Sequence, residues 1–238
     1  STFAEYCAHE TCCGMGYTGA RRGLVNGAAG MALVGLISDI HATPAPVAEA
    51  LSIFRREGVE HILCAGDIAG YGERLDETVA LLIDSGCRTI RGNHEMMHLE
   101  QAGEDADTPT LRYLRELPAT LDVTIEGKRL YMVHARPPDA CNGGIKLLDQ
   151  QGEPLPDRLA LWTETLRSCA CDVLVVGHTH QVFAAQLGRI LVVNPGSTAF
   201  NHTCAILRLP EMSVEVFALS GKTPLKTWNW SEQVSYGE

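Results

Sequence analysis

The sequence predicts an α/β layered domain in which βαβ units come first and antiparallel strands follow. Two observations carry that prediction. From Met31 onward, short apolar runs alternate with stretches of helical periodicity, the pattern of parallel pairing. In the second half the helices thin out, and apolar runs follow one another with turn residues between them. A third observation concerns chemistry: five of the apolar runs end in Asp, Asn or His.

Leu33 to Ile37 is apolar and stops at Ser38-Asp39, which makes it a first strand. Pro46 to Arg56 (PVAEALSIFRR) puts Ala50, Leu51 and Phe54 on one face, and Gly58 ends that helix. His61 to Ala65 is a second strand, and Leu75 to Ile83 (LDETVALLI) is a second amphipathic helix closed by Gly86. Arg88 to Arg91 is a third, short strand, and Thr110 to Leu117 has helical spacing. Leu121–Ile125 and Arg129–Val133 flank Glu126-Gly127-Lys128, a tight hairpin signal. Leu159–Ser168 reads as a helix and Val173–Val176 as a buried strand. Val182–Gln186, Ile190–Val193, Cys204–Leu207 and Val214–Phe217 complete the run of β structure.

The chain of 238 residues is 45% hydrophobic and 20% charged, enough for one sizeable core. Because no Pro/Gly/Ser-rich linker divides the middle, residues 31–221 are expected to form one domain. Residues 1–30 lack periodicity and are expected to be a disordered or non-native extension. Within them ARRGLV superficially resembles a twin-arginine export signal, but the apolar segment that completes such a signal, MALVGLIS, is needed for the first strand. Residues 222–238, with Trp228 and Trp230, are expected to be a C-terminal arm. Net charge is −10, which disfavours non-specific binding to nucleic acid and to anionic membranes. It does not exclude an anionic substrate, since a bound metal dominates its local field. No apolar run reaches the roughly 18 residues that span a bilayer, and a cytoplasmic protein is expected. The nine cysteines are scattered, and Cys64 and Cys204 sit in apolar contexts, as reduced small hydrophobes do. Cys12-Cys13 and Cys169-Ala-Cys171 lack the CxxC spacing of a structural zinc knuckle.

The polar residues collect where apolar runs stop. Leu33–Ile37 runs into Ser38-Asp39-Ile40-His41, and Ile62–Ala65 into Gly66-Asp67. Thr89–Arg91 runs into Gly92-Asn93-His94-Glu95, Leu130–Val133 into His134, and Leu174–Val176 into Gly177-His178-Thr179-His180. Each residue alone is explained by a turn, a helix cap or a hydrogen-bonded histidine. Their joint occurrence at strand ends, where parallel sheets collect ligands, is not. Imidazole and carboxylate together suit a pair of divalent transition ions, with manganese, iron, zinc and nickel as candidates and manganese favoured. Two ions about 3.5–4 Å apart need a bridging group, and Asp67, on the strand between the other ligand sets, is the best placed. Asp39-x-His41 chelates from one loop, and His178 and His180 have the same spacing.

In that order DxH, GD, GNHE, a lone His and GHTH resemble the calcineurin-like metallophosphoesterases over roughly residues 33–217. The segment from Gly66 to Glu95 is similar to their small prokaryotic branch. The resemblance implies a metallophosphoesterase-like β-sandwich of two mixed sheets flanked by helices, a four-layer αββα fold. It implies one ion held by Asp39, His41, Asp67 and His180, and the other by Asp67, Asn93, His134 and His178. It implies hydrolysis of phosphomonoesters or phosphodiesters by a hydroxide bridging the two ions. His94 is the implied acid, an imidazole suited to proton donation, and Glu95 its orienting neighbour. Ala42-Thr43 follows His41 where many relatives have Gly-Asn, and several small relatives carry cysteine at the position of His94. A small phosphoester or nucleotide-like diester is the expected substrate. A phosphoprotein phosphatase, or a non-catalytic interaction scaffold on the same fold, is the alternative.

Overall fold

The computed structural model describes residues 30–228. The expectations for residues 1–29 and 229–238, Trp230 included, lie outside them. β1 (Ala32–Ile37), α1 (Pro44–Glu57), β2 (His61–Cys64), α2 (Leu75–Asp84) and β3 (Arg88–Thr89) form the βαβαβ run, with β1, β2 and β3 parallel. Then come α3 (Asn93–Ala102), α4 (Pro109–Glu116), β4 (Thr120–Ile125), β5 (Lys128–Val133), α5 (Pro156–Thr165) and β6 (Val173–Val175). The chain continues through β7 (Val182–Leu187), β8 (Ile190–Pro195), β9 (Thr203–Leu209) and β10 (Ser213–Ala218).

Two five-stranded mixed sheets result, in the orders β10-β9-β1-β2-β3 and β4-β5-β6-β8-β7. The late strand β9 returns antiparallel to β1, with Val34 opposite Leu207. In the second sheet β5, β6 and β8 are parallel, with Leu130 opposite Val173 and Val173 opposite Leu191. The β4–β5 turn has φ of 47° at Glu126 and 73° at Gly127, the left-handed pair that a two-residue hairpin of matching twist requires.

Side-chain alternation builds the layers. Leu33 and Ile37 of β1 pack outward with Phe54, Val79 and Leu114 beneath the helices α1, α2 and α4. Val34 and Leu36 point the other way, to join Leu63, Leu130, Met132, Val173 and Val193 between the two sheets. Leu174 and Val192 face a third cluster with Leu166 and Trp162, around α5. The order helix, sheet, sheet, helix is the four-layer sandwich that the family resemblance implied. Among the described residues no helix is long and apolar enough to cross a membrane.

Two local expectations change. The third strand is two residues long, not four: past Thr89 the N–H of Ile90 still donates to the carbonyl of Cys64, where β2 itself ends, and that of Arg91 donates away from the sheet to the carbonyl of Pro118. Helix α3 was not foreseen. Glu95 is its buried residue while Met96 and Met97 are about half exposed, so it carries no apolar stripe to announce it.

Candidate metal centre

In the first sheet β2 lies between β1 and β3, so Asp67 emerges between the Asp39/His41 loop and the Asn93/His94 turn. In the second sheet β5 and β6 are neighbours, so His134 and His178 emerge side by side. The carboxyl ends of the two sets meet across the sandwich. Asp39, His41, Asp67, His178 and His180 all have φ between 48° and 64°. Non-glycine residues rarely adopt that region, and strain of this kind is kept where a site needs it.

Backbone bonds hold the strained loops. The N–H of Asp39 donates to the carbonyl of Gly66 at 2.9 Å, and that of His41 to the carbonyl of Asp67 at 2.9 Å. Across the sandwich, the N–H of His178 donates to both oxygens of Asp39 at 3.1 Å, and that of Gly177 to the carbonyl of His134 at 2.8 Å. At Gly92 a Cβ would strike the Asp67 carboxylate and stand 2.7 Å from its backbone nitrogen. That position needs glycine for close approach.

All seven sequence-predicted ligands are brought together. The ligand atoms of Asp39, His41 and His180 lie within 4.8 Å of one another, as do those of Asp67, His134 and His178. Nε2 of His41 is 3.1 Å from Nε2 of His180, which is 3.3 Å from Oδ1 of Asp39. Nε2 of His134 is 3.2 Å from Oδ2 of Asp67. Oδ1 of Asn93 stands 2.9 Å from Nδ1 of His178 and 3.2 Å from Nε2 of His134. Asp67 also shares a 4.8 Å grouping with His41 and His94, so its carboxylate faces both halves of the site. His94 therefore stands among the ligand atoms, its ring 4.8 Å from that of His41 and its backbone N–H donating to Oδ1 of Asp67 at 2.9 Å.

Burial pushes His41 down to about 4, against the pull of Asp39 and Asp67, so its imidazole is neutral with a lone pair to give. Burial also opposes a charge on His134, but the carboxylate of Asp67 overrides it and raises the group to about 9. Asp39 and Asp67 are buried, which alone would raise them. The facing histidines, His180 for Asp39 and His134 for Asp67, hold both below the usual carboxylate range. Two imidazole nitrogens 3.1 Å apart can share at most one proton between them; a cation there serves both lone pairs at once. Four imidazoles, an amide oxygen and two carboxylates converging from five strand ends fit a pair of divalent ions of the transition series.

Glu95 plays a different part from the one expected. Its carboxylate accepts the N–H groups of Gly92 at 2.6 Å, Ala69 at 2.8 Å and Asp67 at 2.9 Å. It ties the Asp67 loop to the Asn93 turn, and its hydrogen bonds go to backbone, not to the His94 ring. Burial and the nearby Asp67 charge push it up to about 7.

Other supporting residues escaped the sequence reading. Ser197 donates to the carbonyl of Asp39 at 2.5 Å, and Asn194 donates to that of Gly177 at 3.0 Å. Asn201 donates to the carbonyls of His180 and Leu225. The ring of Phe200 stacks on His180 at 5.4 Å and on Trp228 at 4.8 Å. The N–H of Trp228 donates to the carbonyl of His180, so the start of the C-terminal arm is fixed beside the site. The run Asn194-Pro-Gly-Ser197, which closes the buried strand β8, was the available signal.

Comparison with known proteins gives a consistent picture. A model of the calcineurin-like phosphoesterase superfamily domain matches residues 32–211. The phosphodiesterase YfcE of Escherichia coli K12 is 26% identical over 180 residues, which cover 68% of this chain and 77% of that protein. An uncharacterised protein of Methanocaldococcus jannaschii is 29% identical over 121 residues, 44% of this chain; the chain spans 50% of that relative's length. A metallophosphoesterase from Sphaerobacter thermophilus superposes with a TM-score of 0.60 at 20% identity, covering 80% of this chain and 88% of that one.

Proposed function

The chain belongs to the calcineurin-like phosphoesterase superfamily, and from that premise we propose that it hydrolyses small phosphodiesters with two divalent metal ions held at the five strand ends. The observation that carries the proposal is the Asp67 carboxylate, within ligand reach of His41 on one side and of His134 and His178 on the other. Asp39, His41, Asp67 and His180 would hold one ion, and Asp67, Asn93, His134 and His178 the other. Such a pair supplies a water of lowered pKa and neutralises the phosphoryl charge. Manganese is the favoured metal, with iron, zinc and nickel also suited to so nitrogen-rich a set.

The chain's own residues do the rest. The strained loops fix the two ligand halves before substrate arrives. Glu95 locks the Asp67 loop to the Asn93 turn. His94 stands at the edge of the ligand set, where it protonates the departing oxygen while water attacks phosphorus from the opposite side. YfcE is named a phosphodiesterase, which supports diesters ahead of monoesters as the substrate. The buried free thiols of Cys64 and Cys204 suit the reducing cytoplasm in which we place the reaction.

The test is elemental analysis of undialysed protein together with hydrolysis of bis(p-nitrophenyl) phosphate and p-nitrophenyl phosphate, with and without added manganese. Two ions per chain, at least one of the transition series, and metal-dependent turnover of the diester are expected. Stoichiometric magnesium alone, or no turnover of either ester with any of the four candidate metals, would sink the proposal.

A further inference from the structure

Resting on that phosphoesterase reading, we propose that the cleft beside the metal centre is the leaving-group subsite and that it takes an uncharged nucleoside. His94, Met97, His98 and Gln101 are spaced i, i+3, i+4 and i+7, so they share one face of α3. All four line a cleft of about 440 Å³, whose other wall includes Tyr71 and Glu73. Small-molecule sites occupy roughly 300–1,000 Å³. The cleft begins at the proposed acid, since the His94 ring lies 4.8 Å from the Tyr71 ring. Gly70, at φ 109°, allows that approach: a Cβ there would stand 2.6 Å from Nδ1 of His94. A substituent on an oxygen that leaves phosphorus at His94 is therefore led into this cleft.

The lining selects the substituent. Tyr71 is 59% exposed and Met97 48% exposed, a phenol and a polarisable thioether offered at the surface. Stacking of a base on such a ring is worth about tenfold in affinity. The Gln101 amide and the His98 imidazole supply donors and acceptors for a base edge or ribose hydroxyls. Among the described residues no Lys or Arg lines the cleft, and Glu73 does. In a chain of net charge −10, a second phosphate on the leaving group meets a carboxylate and no cation. In turnover the oxygen of water bonds to phosphorus and the bond from phosphorus to the nucleoside oxygen breaks with its electron pair. The His94 proton goes to that oxygen, and the proton shed by the attacking water returns to His94 through solvent.

The test uses the full chain loaded with manganese. Adenosine binding is measured by calorimetry for the wild type, Tyr71→Ala and Glu73→Lys. Hydrolysis is compared for a dinucleoside phosphodiester and the same diester bearing a further phosphate on the departing nucleoside. Adenosine should bind the wild type, about tenfold more weakly after Tyr71→Ala. The added phosphate should lower kcat/KM, and Glu73→Lys should narrow that ratio by about three- to tenfold, a change that general structural damage does not produce. Adenosine binding that Tyr71→Ala leaves unchanged, or a phosphate discrimination unmoved by Glu73→Lys, overturns the subsite. The binding arm needs no turnover, so the two readings fail separately. Absence of metal-dependent hydrolysis with Tyr71-dependent adenosine binding intact strikes the phosphoesterase reading, and with it the leaving-group role, while the nucleoside site in the cleft stands.

Discussion

At the scale of single residues the site divides its labour by position. Asp67 faces both ligand halves, whereas Asp39 belongs to one. Asp67→Asn should therefore weaken both ions, by more than about tenfold each, and Asp39→Asn chiefly one. Metal content and activity of the two variants decide it, and equal losses would remove the bridge assignment. His94→Ala should lower kcat by about 10²–10⁴-fold while both ions stay, with a smaller loss for nitrophenyl than for alkyl esters. Because His94 shares a grouping with His41 and Asp67, loss of a metal in that variant would make it a ligand instead. His134, raised to about 9 by Asp67, is protonated at pH 7.5 and must be neutral to hold a metal. Metal uptake at pH 7.5 should thus release about one proton from it, and at pH 10 none. Calorimetry in buffers of different ionisation enthalpy reads that number. In the metal-free protein the same raised pKa stabilises the fold fully below the ordinary histidine value near 6.5 and ceases to do so as pH rises through about 9.

At the scale of elements, the loops after the strands do the positioning. Glu95 works from the first turn of α3 by gathering three backbone N–H groups, and Gly92 works by having no side chain. Gly92→Ala should leave the circular dichroism spectrum unchanged but cost at least about 1 kcal/mol, roughly 2–4 °C in Tm, and expel metal. Its Cβ meets the Asp67 carboxylate and, at 2.8 Å, the His134 ring, neither of which can move without breaking the cluster. A variant with full metal content would show that the loop has slack. Helix α3 escaped the sequence reading for a related reason. Its Met97 lines a cleft and its Met96 is exposed, which leaves Leu99 packed against the core and no apolar stripe to read.

At the scale of the whole molecule, the site exists only because two sheets are pressed together. Leu130 is buried between them with Leu36 and Leu63. Leu130→Ala should cost about 2–5 kcal/mol in denaturant unfolding. On the proposed metal centre, saturating manganese should bind the folded chain alone and return part of that, about 2.7 kcal/mol at a hundred times Kd. A variant that manganese does not stabilise would separate the metal centre from the packing of the sheets.

The sequence by itself determined the strands, the parallel start and the polar residues, from Asp39 to His180, that the fold brings together. Short continuous apolar runs, buried on both faces, and their abrupt stop at polar residues are local signals, legible without knowing neighbours. What only the tertiary structure decided is which strand stands beside which. β9 returns to β1, His134 lands opposite Asp67, and Ser197, Asn201 and Phe200 come to brace Asp39 and His180. The part played by Glu95 was also decided there, because its partners are backbone N–H groups of two loops that meet only in the folded chain. Backbone groups leave no mark in composition or spacing, and the left-handed φ values that aim the ligands are imposed on Asp and His by the surrounding contacts, against their own preference.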